Sequence, residues 1–345
     1  MGEARFILNK QAIFEQLDTL KKLGLKISYS YKTNHEVGNI IQEEDPDVLF
    51  SIHSKDEIGM IKDKSKIIFF ILAENEKEIE ELLSVGIRNF VVDNEIDFFK
   101  IINVINKLKI KINLSIRMKF NEHRVGTGKY FVYGMYSNKV NSLILQEKDN
   151  KYLNKVGIHI HRKSQNTSEW EIIDELKDSI DEATLKRINS VNIGGGLPIK
   201  YKSYTADILP YIFNKIKDVV EWLKSNNIET IIEPGRFVCG PAIKLETEII
   251  QIQENNIILN TTLYNCALDT LLTGTKMIVE NELSDAEKGD YYLIKGNSPT
   301  RDDIFRYKVK LNNPKVGDKI VFLNAGAYNY TTDFFGYKKL KTIVN

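Results

Sequence analysis

Cysteine is scarce in this 345-residue chain: Cys239 and Cys266 are the only two. They are too few and too far apart for a disulfide framework or a zinc site. That scarcity fits a reducing compartment, and a cytoplasmic protein is the expectation. Long apolar runs are missing as well. The longest, Ile67 to Ala73, is seven residues, whereas a membrane-spanning helix needs ~20, so no membrane partner is expected. The opening residues Met1-Gly2-Glu3-Ala4-Arg5-Phe6 lack the basic-then-apolar order of a secretory signal. An excess of one charge sign is also absent, with 48 basic against 47 acidic residues. This excludes a general polyanion binder, and no nucleic-acid partner is expected. Arginine is the rarer cation, 9 against 39 Lys. Lysine is the default solubilising charge, so each Arg is worth reading individually.

The chain does carry a rhythm. Apolar residues make up 42%, enough for a sizeable core. The length predicts two domains, or one large α/β domain with an addition. Short runs rich in Ile, Val, Phe and Tyr recur at Ile27–Tyr31, Val48–Ile52, Ile67–Leu72, Phe90–Val92, Ile112–Arg117, Gly157–His161, Val191–Ile193 and Thr230–Ile232. Helical patterns such as Glu76–Val85 and Ile172–Asp181 lie between most of them. Eight buried strands alternating with helices predict a (β/α)8 TIM barrel over residues 21–240. A doubly wound open sheet competes for the same pattern. After Gly240 the strand patterns are Lys244–Gln253, Asn256–Leu259, Asp290–Ile294, Phe305–Leu311 and Lys319–Leu323. They predict a C-terminal antiparallel β barrel or sandwich over 241–345, with residues 1–20 free to pack with either part.

Barrel enzymes place their chemistry on loops leaving the C-terminal ends of the strands. Strand 7 runs into Gly194-Gly195-Gly196, whose backbone N–H groups can approach an anion with no Cβ in the way. Strand 8 runs into Glu233-Pro234-Gly235-Arg236, and strand 1 into Tyr31-Lys32-Thr33-Asn34. Singly, these read as a tight turn, a surface salt bridge and a solvated lysine. Together they suggest a phosphate cup, a lone carboxylate and an inward amine, which is what a pyridoxal 5′-phosphate site requires.

The chain resembles the fold-type III pyridoxal-phosphate decarboxylases, the group of ornithine, diaminopimelate and carboxynorspermidine decarboxylases. Tyr31-Lys32-Thr33-Asn34 is similar to the family's Y-x-x-K-A-N region, and Ser54-Lys55-Asp56-Glu57-Ile58 to the stretch after strand 2. Arg117 stands at the basic residue ending strand 5. Gly157-Ile158-His159-Ile160-His161-Arg162-Lys163-Ser164-Gln165 resembles G-x-H-x-H-V-G-S-Q. Asn192-Ile193-Gly194-Gly195-Gly196 matches the glycine loop, Glu233-Pro234-Gly235-Arg236 the E-P-G-R signature, and Gly326-Ala327-Tyr328 a late G-A-Y. Phe334-Phe335-Gly336-Tyr337 is similar to F-N-G-F. The resemblance implies an alanine racemase-like fold. It also implies that Lys32 holds the cofactor aldehyde and that His161 stacks on the ring. Glu233 then faces the ring nitrogen, while Arg117, Ser164, Gly194, Gly195, Gly196, Gly235, Arg236 and Tyr328 bind the cofactor, the last through its phosphate. A homodimer sharing its active sites is implied too. Glu233 favours decarboxylase over racemase, because racemases of the alanine type place an Arg at the ring nitrogen and weaken the electron sink.

The pattern breaks at four points. Pro299 stands where the family's C-x-x-x-D has its proton-donating Cys, leaving Lys32, His161 or a water as candidate donors. Arg301 replaces an acidic residue that reads a distal ammonium, although Asp303 fits. Arg162-Lys163 replace a small pair, and Ser51 replaces an Asp. With Arg301, Asp303 and Phe335 at the substrate end, these changes suggest an anionic amino-acid tail on a larger metabolite, at a locally basic site. The alternatives are an ordinary ornithine, lysine or diaminopimelate decarboxylase and a catalytically silent regulatory relative.

Overall fold

The computed structural model describes residues 2–120, 133–204, 207–330 and 338–345. These fall into two compact units. One comprises Leu17–Leu197 and Ile208–Pro234, the other Met1–Gln16, Pro198–Asp207 and Gly235–Asn345.

In chain order β1 (Arg5–Leu8) belongs to the second unit, and the first is built on the strands that follow it. These are β2 (Lys26–Ser30), β3 (Leu49–Ile52), β4 (Ile67–Ile71), β5 (Asn89–Val92), β6 (Ile112–Lys119), β8 (Leu153–His159), β9 (Ser190–Asn192) and β10 (Glu229–Ile232). Each pairs in parallel with the next, and a two-residue strand, β7 (Met135–Tyr136), adds to the end of β6. β10 returns to β2, with Ile231 opposite Lys26 and Ile232 opposite Ile27. That closure makes the sheet a barrel rather than an open doubly wound sheet.

The cause lies in the residues. Short, β-branched and aromatic runs are buried on both faces, as in β4 and β5, which suits parallel strands covered by helices. The covering helices bury one stripe each: Ile79, Leu82 and Leu83 in Glu76–Ser84, and Ile212, Ile216, Val219 and Leu223 in Leu209–Ser225. Four loops at the C-terminal ends of the strands finish in a helix cap. Asn34, Ser54, Asn75 and Asn94 each accept a backbone N–H of the helix they start. These caps hold the rim of the barrel mouth.

The barrel interior carries small and polar residues beside its aliphatic ones. A Cβ on Gly157 would come within 2.5 Å of Ser190 Oγ and 2.8 Å of Ser115 Oγ. A cavity of about 60 Å³ lies among Asn113, Ser115, Gly157, Ser190 and Asn192.

The second unit is a sheet of eight strands. Its members besides β1 are β11 (Ile243–Gln253), β12 (Asn256–Leu259), β13 (Ile278–Val279), β14 (Asp290–Lys295), β15 (Ile304–Leu311), β16 (Lys319–Leu323) and β17 (Lys341–Val344). The order is β13-β16-β11-β12-β14-β15, with β1 added to β11 and β17 to β1. The expected antiparallel sheet is in fact mixed, since β1–β17 and β12–β14 pair in parallel. Short helices at Arg236–Ala242, Leu263–Cys266 and Leu268–Thr273 also interrupt the strand pattern. Among the described residues no helix is long and apolar enough to cross a membrane.

Candidate active site

Lys32 sits in a single turn, Tyr31–Thr33, between β2 and the helix His35–Glu44. Asn34 sets that spacing. Its side chain accepts from Val37 N at 3.0 Å, and its carbonyl accepts from Tyr29 Oη at 3.0 Å. Tyr31 and Thr33 are buried on either side, so Lys32 alone of the turn reaches the open barrel mouth. The surrounding protein still removes water from its amine. Burial lowers the proton affinity below the ordinary lysine value, Glu233 and Glu57 oppose this, and Arg117 adds to the lowering.

Glu233 stands one residue beyond β10 and is 7% exposed. Its Oε1 accepts from Ser51 Oγ at 2.8 Å and from Asn192 Nδ2 at 2.9 Å, and its Oε2 accepts from His159 Nε2 at 3.1 Å. Burial alone would raise its pKa. The charge and hydrogen bond of His159, the Ser51 hydroxyl and the charge of His53 outweigh that and hold it at about 2. The carboxylate is therefore an anion throughout the neutral range.

His161 lies in the loop after β8, with its pKa pushed down to about 4 by burial, then by His159 and Arg117. Gly195 N–H donates to its Nδ1 at 3.2 Å, which places the ring hydrogen on Nε2 and fixes the ring. The glycine loop is what brings the two strand ends together. Gly194 has φ +70°, and a Cβ there would lie 2.4 Å from the Ile160 carbonyl oxygen; one on Gly195 would lie 2.5 Å from that of Glu233. Two of the three N–H groups expected to form an anion cup already serve the protein. Gly194 N–H donates to Asn192 Oδ1 at 2.9 Å, and Gly195 N–H to His161. The close approach of the loops, more than an anion, explains those glycines. Gly196 follows, its carbonyl accepting from Asn166 N at 2.8 Å.

Arg117 ends near the same mouth. Burial lowers its pKa, while Asp93 and Glu233 oppose the shift. Tyr133 lies 5.2 Å from the guanidinium. Ser164 is exposed on the His161 loop. The loop is not the basic patch expected of it. Arg162 is ion-paired with Glu175 and with Glu169 at 3.7 Å, and Lys163 with Glu169 at 3.0 Å.

Several residues here have no assigned role in the sequence reading. His159 is 1% exposed, Ser51 0% and Asn192 2%, and all three serve Glu233. His53 stacks on Phe70 at 4.5 Å, and Phe70 meets His159 edge-on at 5.2 Å. Burial and then the Lys32 charge press the His53 pKa down to about 4. Glu57 is buried and hydrogen-bonded to His35 Nε2 at 2.8 Å. The signal that could have found Ser51, His159 and Asn192 is a polar side chain at or next to the last position of an apolar strand.

The remaining expected residues lie in the second unit. Gly235 caps the helix Arg236–Ala242. The Arg236 guanidinium is buried and bidentate to Asp269, at 2.6 and 2.9 Å, and donates to Tyr201 Oη at 2.9 Å. Tyr328, with φ +58°, has its ring 5.4 Å from that guanidinium. Asp303 was expected to face substrate and is instead consumed by its own loop. It accepts from Ser298 Oγ at 2.6 Å, Leu263 N at 2.8 Å and Ser298 N at 3.1 Å, fully buried. The Arg301 side chain is 96% exposed, 4.0 Å from Asp302. Phe335 lies outside the described residues.

The arrangement suits pyridoxal phosphate on a physical count. An ionised carboxylate has about four acceptor positions. Among the described residues, two on Oε1 and one on Oε2 of Glu233 are filled, which leaves one for a ring N–H. An accessible amine of lowered proton affinity and a fixed imidazole are present beside it.

The comparisons agree with that fit. Over 288 residues the chain is 25% identical to a diaminopimelate decarboxylase from Methanocaldococcus jannaschii, covering 76% of this chain and 64% of that one, slightly under two thirds of its length. It is 26% identical over 285 residues to the diaminopimelate decarboxylase of Bacteroides thetaiotaomicron, covering 76% and 72%. The lysine decarboxylase of Selenomonas ruminantium shares the fold, with a TM-score of 0.84 at 19% identity, covering all of this chain and 93% of that one. Residues 10–240 match the family model described as pyridoxal-dependent decarboxylase, pyridoxal binding domain. The chain belongs to the pyridoxal-dependent decarboxylases.

Proposed function

We propose that the protein is a pyridoxal-phosphate-dependent decarboxylase of an α-amino acid of the diaminopimelate, lysine and ornithine class. The observation that carries this reading is the buried anionic Glu233, with one acceptor position left, in electrostatic reach of the accessible amine of Lys32. Bound here, the cofactor would supply an electron sink for the pair released when CO2 departs. Lys32 would hold its aldehyde, Glu233 its ring nitrogen and His161 its ring face.

The residues then divide the work. The lowered proton affinity of Lys32 keeps more of its amine unprotonated and nucleophilic near neutral pH than an ordinary lysine would have. Glu233 remains an acceptor, so a proton on the ring nitrogen stays there. The Gly195 N–H keeps the His161 ring from turning. With Pro299 in place of the family cysteine, Lys32 Nζ is our candidate to return a proton to the substrate carbon.

The finer expectation of an anionic tailoring substrate has lost its support. Arg301 is exposed, and Arg162 and Lys163 are engaged by carboxylates. An ordinary diamino-acid substrate fits the relatives' names better. A homodimer with shared sites remains part of the proposal, and sedimentation analysis tests it.

The decisive experiment reconstitutes the purified chain with pyridoxal phosphate and follows visible absorbance and CO2 release. Wild type is expected to turn yellow and to decarboxylate meso-diaminopimelate, L-lysine or L-ornithine. Lys32→Ala is expected to lose the colour and, on the order of, 10³-fold or more of the turnover. A wild type that stays colourless with excess cofactor removes the reading.

A further inference from the structure

His159 lies outside the cofactor contacts expected from the resemblance, yet it is among the most completely buried polar residues of the barrel unit. Among the described residues its one hydrogen bond runs from Nε2 to Glu233 Oε2 at 3.1 Å, and its Nδ1 has no hydrogen-bond partner there. An ionised carboxylate only accepts, so Nε2 carries the hydrogen. The imidazole is held flat against that task by the edge of Phe70, 5.2 Å between centroids, which in turn stacks on His53. Ser51 Oγ and Asn192 Nδ2 fix the other oxygen, and Ser51 Oγ is itself bonded to Ser28 Oγ at 2.8 Å. A carboxylate bonded on one oxygen alone can rock about its Cγ–Cδ bond. Bonded on both, it cannot.

We propose that His159 is a positioning residue: it locks the Glu233 carboxylate so that the one acceptor position left on Oε2 points where a cofactor ring N–H is met. The proposal rests on the reading of Glu233 given above. Other groups face Glu233, namely Lys32, Arg117 and His53, but among the described residues only His159 hydrogen-bonds Oε2. Ser51 and Asn192 alone leave Oε2 unrestrained.

The test pairs a spectroscopic readout on the apoprotein with a binding cycle. In ¹⁵N spectra of the imidazoles, His159 is expected to show Nε2 protonated, with a signal that moves in Glu233→Gln. For pyridoxal phosphate, His159→Phe keeps the ring shape and removes the donor, and is expected to weaken binding about tenfold. His159→Gln restores a donor near the same point and is expected to bring affinity back to within about threefold. In the Glu233→Gln background His159→Phe is expected to change nothing further, because the two act as one unit. Equal effects of His159→Phe in both backgrounds, or no effect in either, overturn the proposal. Should His159→Phe fail to fold, the His159→Gln cycle and the ¹⁵N spectrum still decide. If the wild type takes up no cofactor, the proposed function falls. The ¹⁵N spectrum then shows whether His159 holds Glu233 regardless.

Discussion

Two charges in one tetrapeptide meet opposite fates. Glu233, in the barrel unit, is buried among Ser51, Asn192 and His159, donors that complete three of its acceptor positions. Arg236, three residues later and in the second unit, is buried against the opposite charge of Asp269 and the hydroxyl of Tyr201. Hydroxyl, amide and imidazole donors stabilise a charge without cancelling it, so Glu233 remains an anion that a ligand can use. A bidentate carboxylate cancels the guanidinium outright, and Arg236 becomes part of the framework. The same physical requirement, that no buried charge stand alone, leaves an anion with an acceptor position in one unit and a closed ion pair in the other.

The sharpest way to break that comparison is to remove the partners. Asp269→Ala strands a buried guanidinium and is expected to destabilise the second unit by about 3–5 kcal/mol, read by urea unfolding. Glu233→Gln leaves a neutral amide among polar neighbours, and is expected to cost less stability while weakening cofactor binding measurably. If the Glu233 variant proves the less stable, the division between a usable charge and a framework charge is wrong.

Acid separates the two regions next. His161 has a pKa of about 4 against an ordinary 6.5. Below pH 6.5 an unfolded chain takes up a proton that the folded site refuses. Stability from this residue is therefore complete above pH 6.5 and falls as the pH drops to 4. Glu233, at about 2 against an ordinary 4.5, adds stability above pH 4.5 that is lost as pH falls towards 2. Each window is worth about 3 kcal/mol at most. Arg236 opens no such window. Burial would lower its pKa, but Asp269 and Tyr201 outweigh this and raise it above an already high value. Urea midpoints between pH 7 and pH 4 are expected to fall, and His161→Gln to flatten the fall. A flat wild-type profile would mean that burial does not suppress the His161 charge.

How much of this was legible in the sequence depended on distance along the chain. The barrel was visible because each strand and helix carries its own local period. Lys32 and Glu233 were visible because they follow the ends of those strands, and His161 because its loop resembles a family motif. The strand-end positions of Ser51 and His159 were visible too, but not their task, because they act on Glu233 from 182 and 74 residues away. The parallel pairing of Arg5–Leu8 with Lys341–Val344 was hidden for the same reason. Asp303 and Arg301 show the limit at closest range. Two residues apart, both were expected at the substrate end, yet one is fully buried and the other almost wholly exposed. Burial comes from the donors gathered round Asp303, Ser298 of its own loop and Leu263 from 40 residues away.

Arg301 then supplies the smallest expected effect and the finest discrimination. Its side chain touches solvent almost everywhere, and its one carboxylate neighbour is 4.0 Å away and itself exposed. Exposed pairs of that kind are worth about 0–1 kcal/mol, and substitutions at such positions usually stay within ~0.5 kcal/mol. Arg301→Ala is therefore expected to leave unfolding and pyridoxal-phosphate uptake unchanged, where Asp303→Ala, two residues on, destabilises the loop through the loss of three buried hydrogen bonds. Turnover with a diamino acid is the third measurement. If Arg301→Ala leaves that unchanged too, the cation is ordinary surface charge. If it raises turnover with diamino acids or lowers turnover with anionic ones, Arg301 reads substrate charge, and the anionic-substrate expectation returns on evidence that Arg162 and Lys163 do not supply.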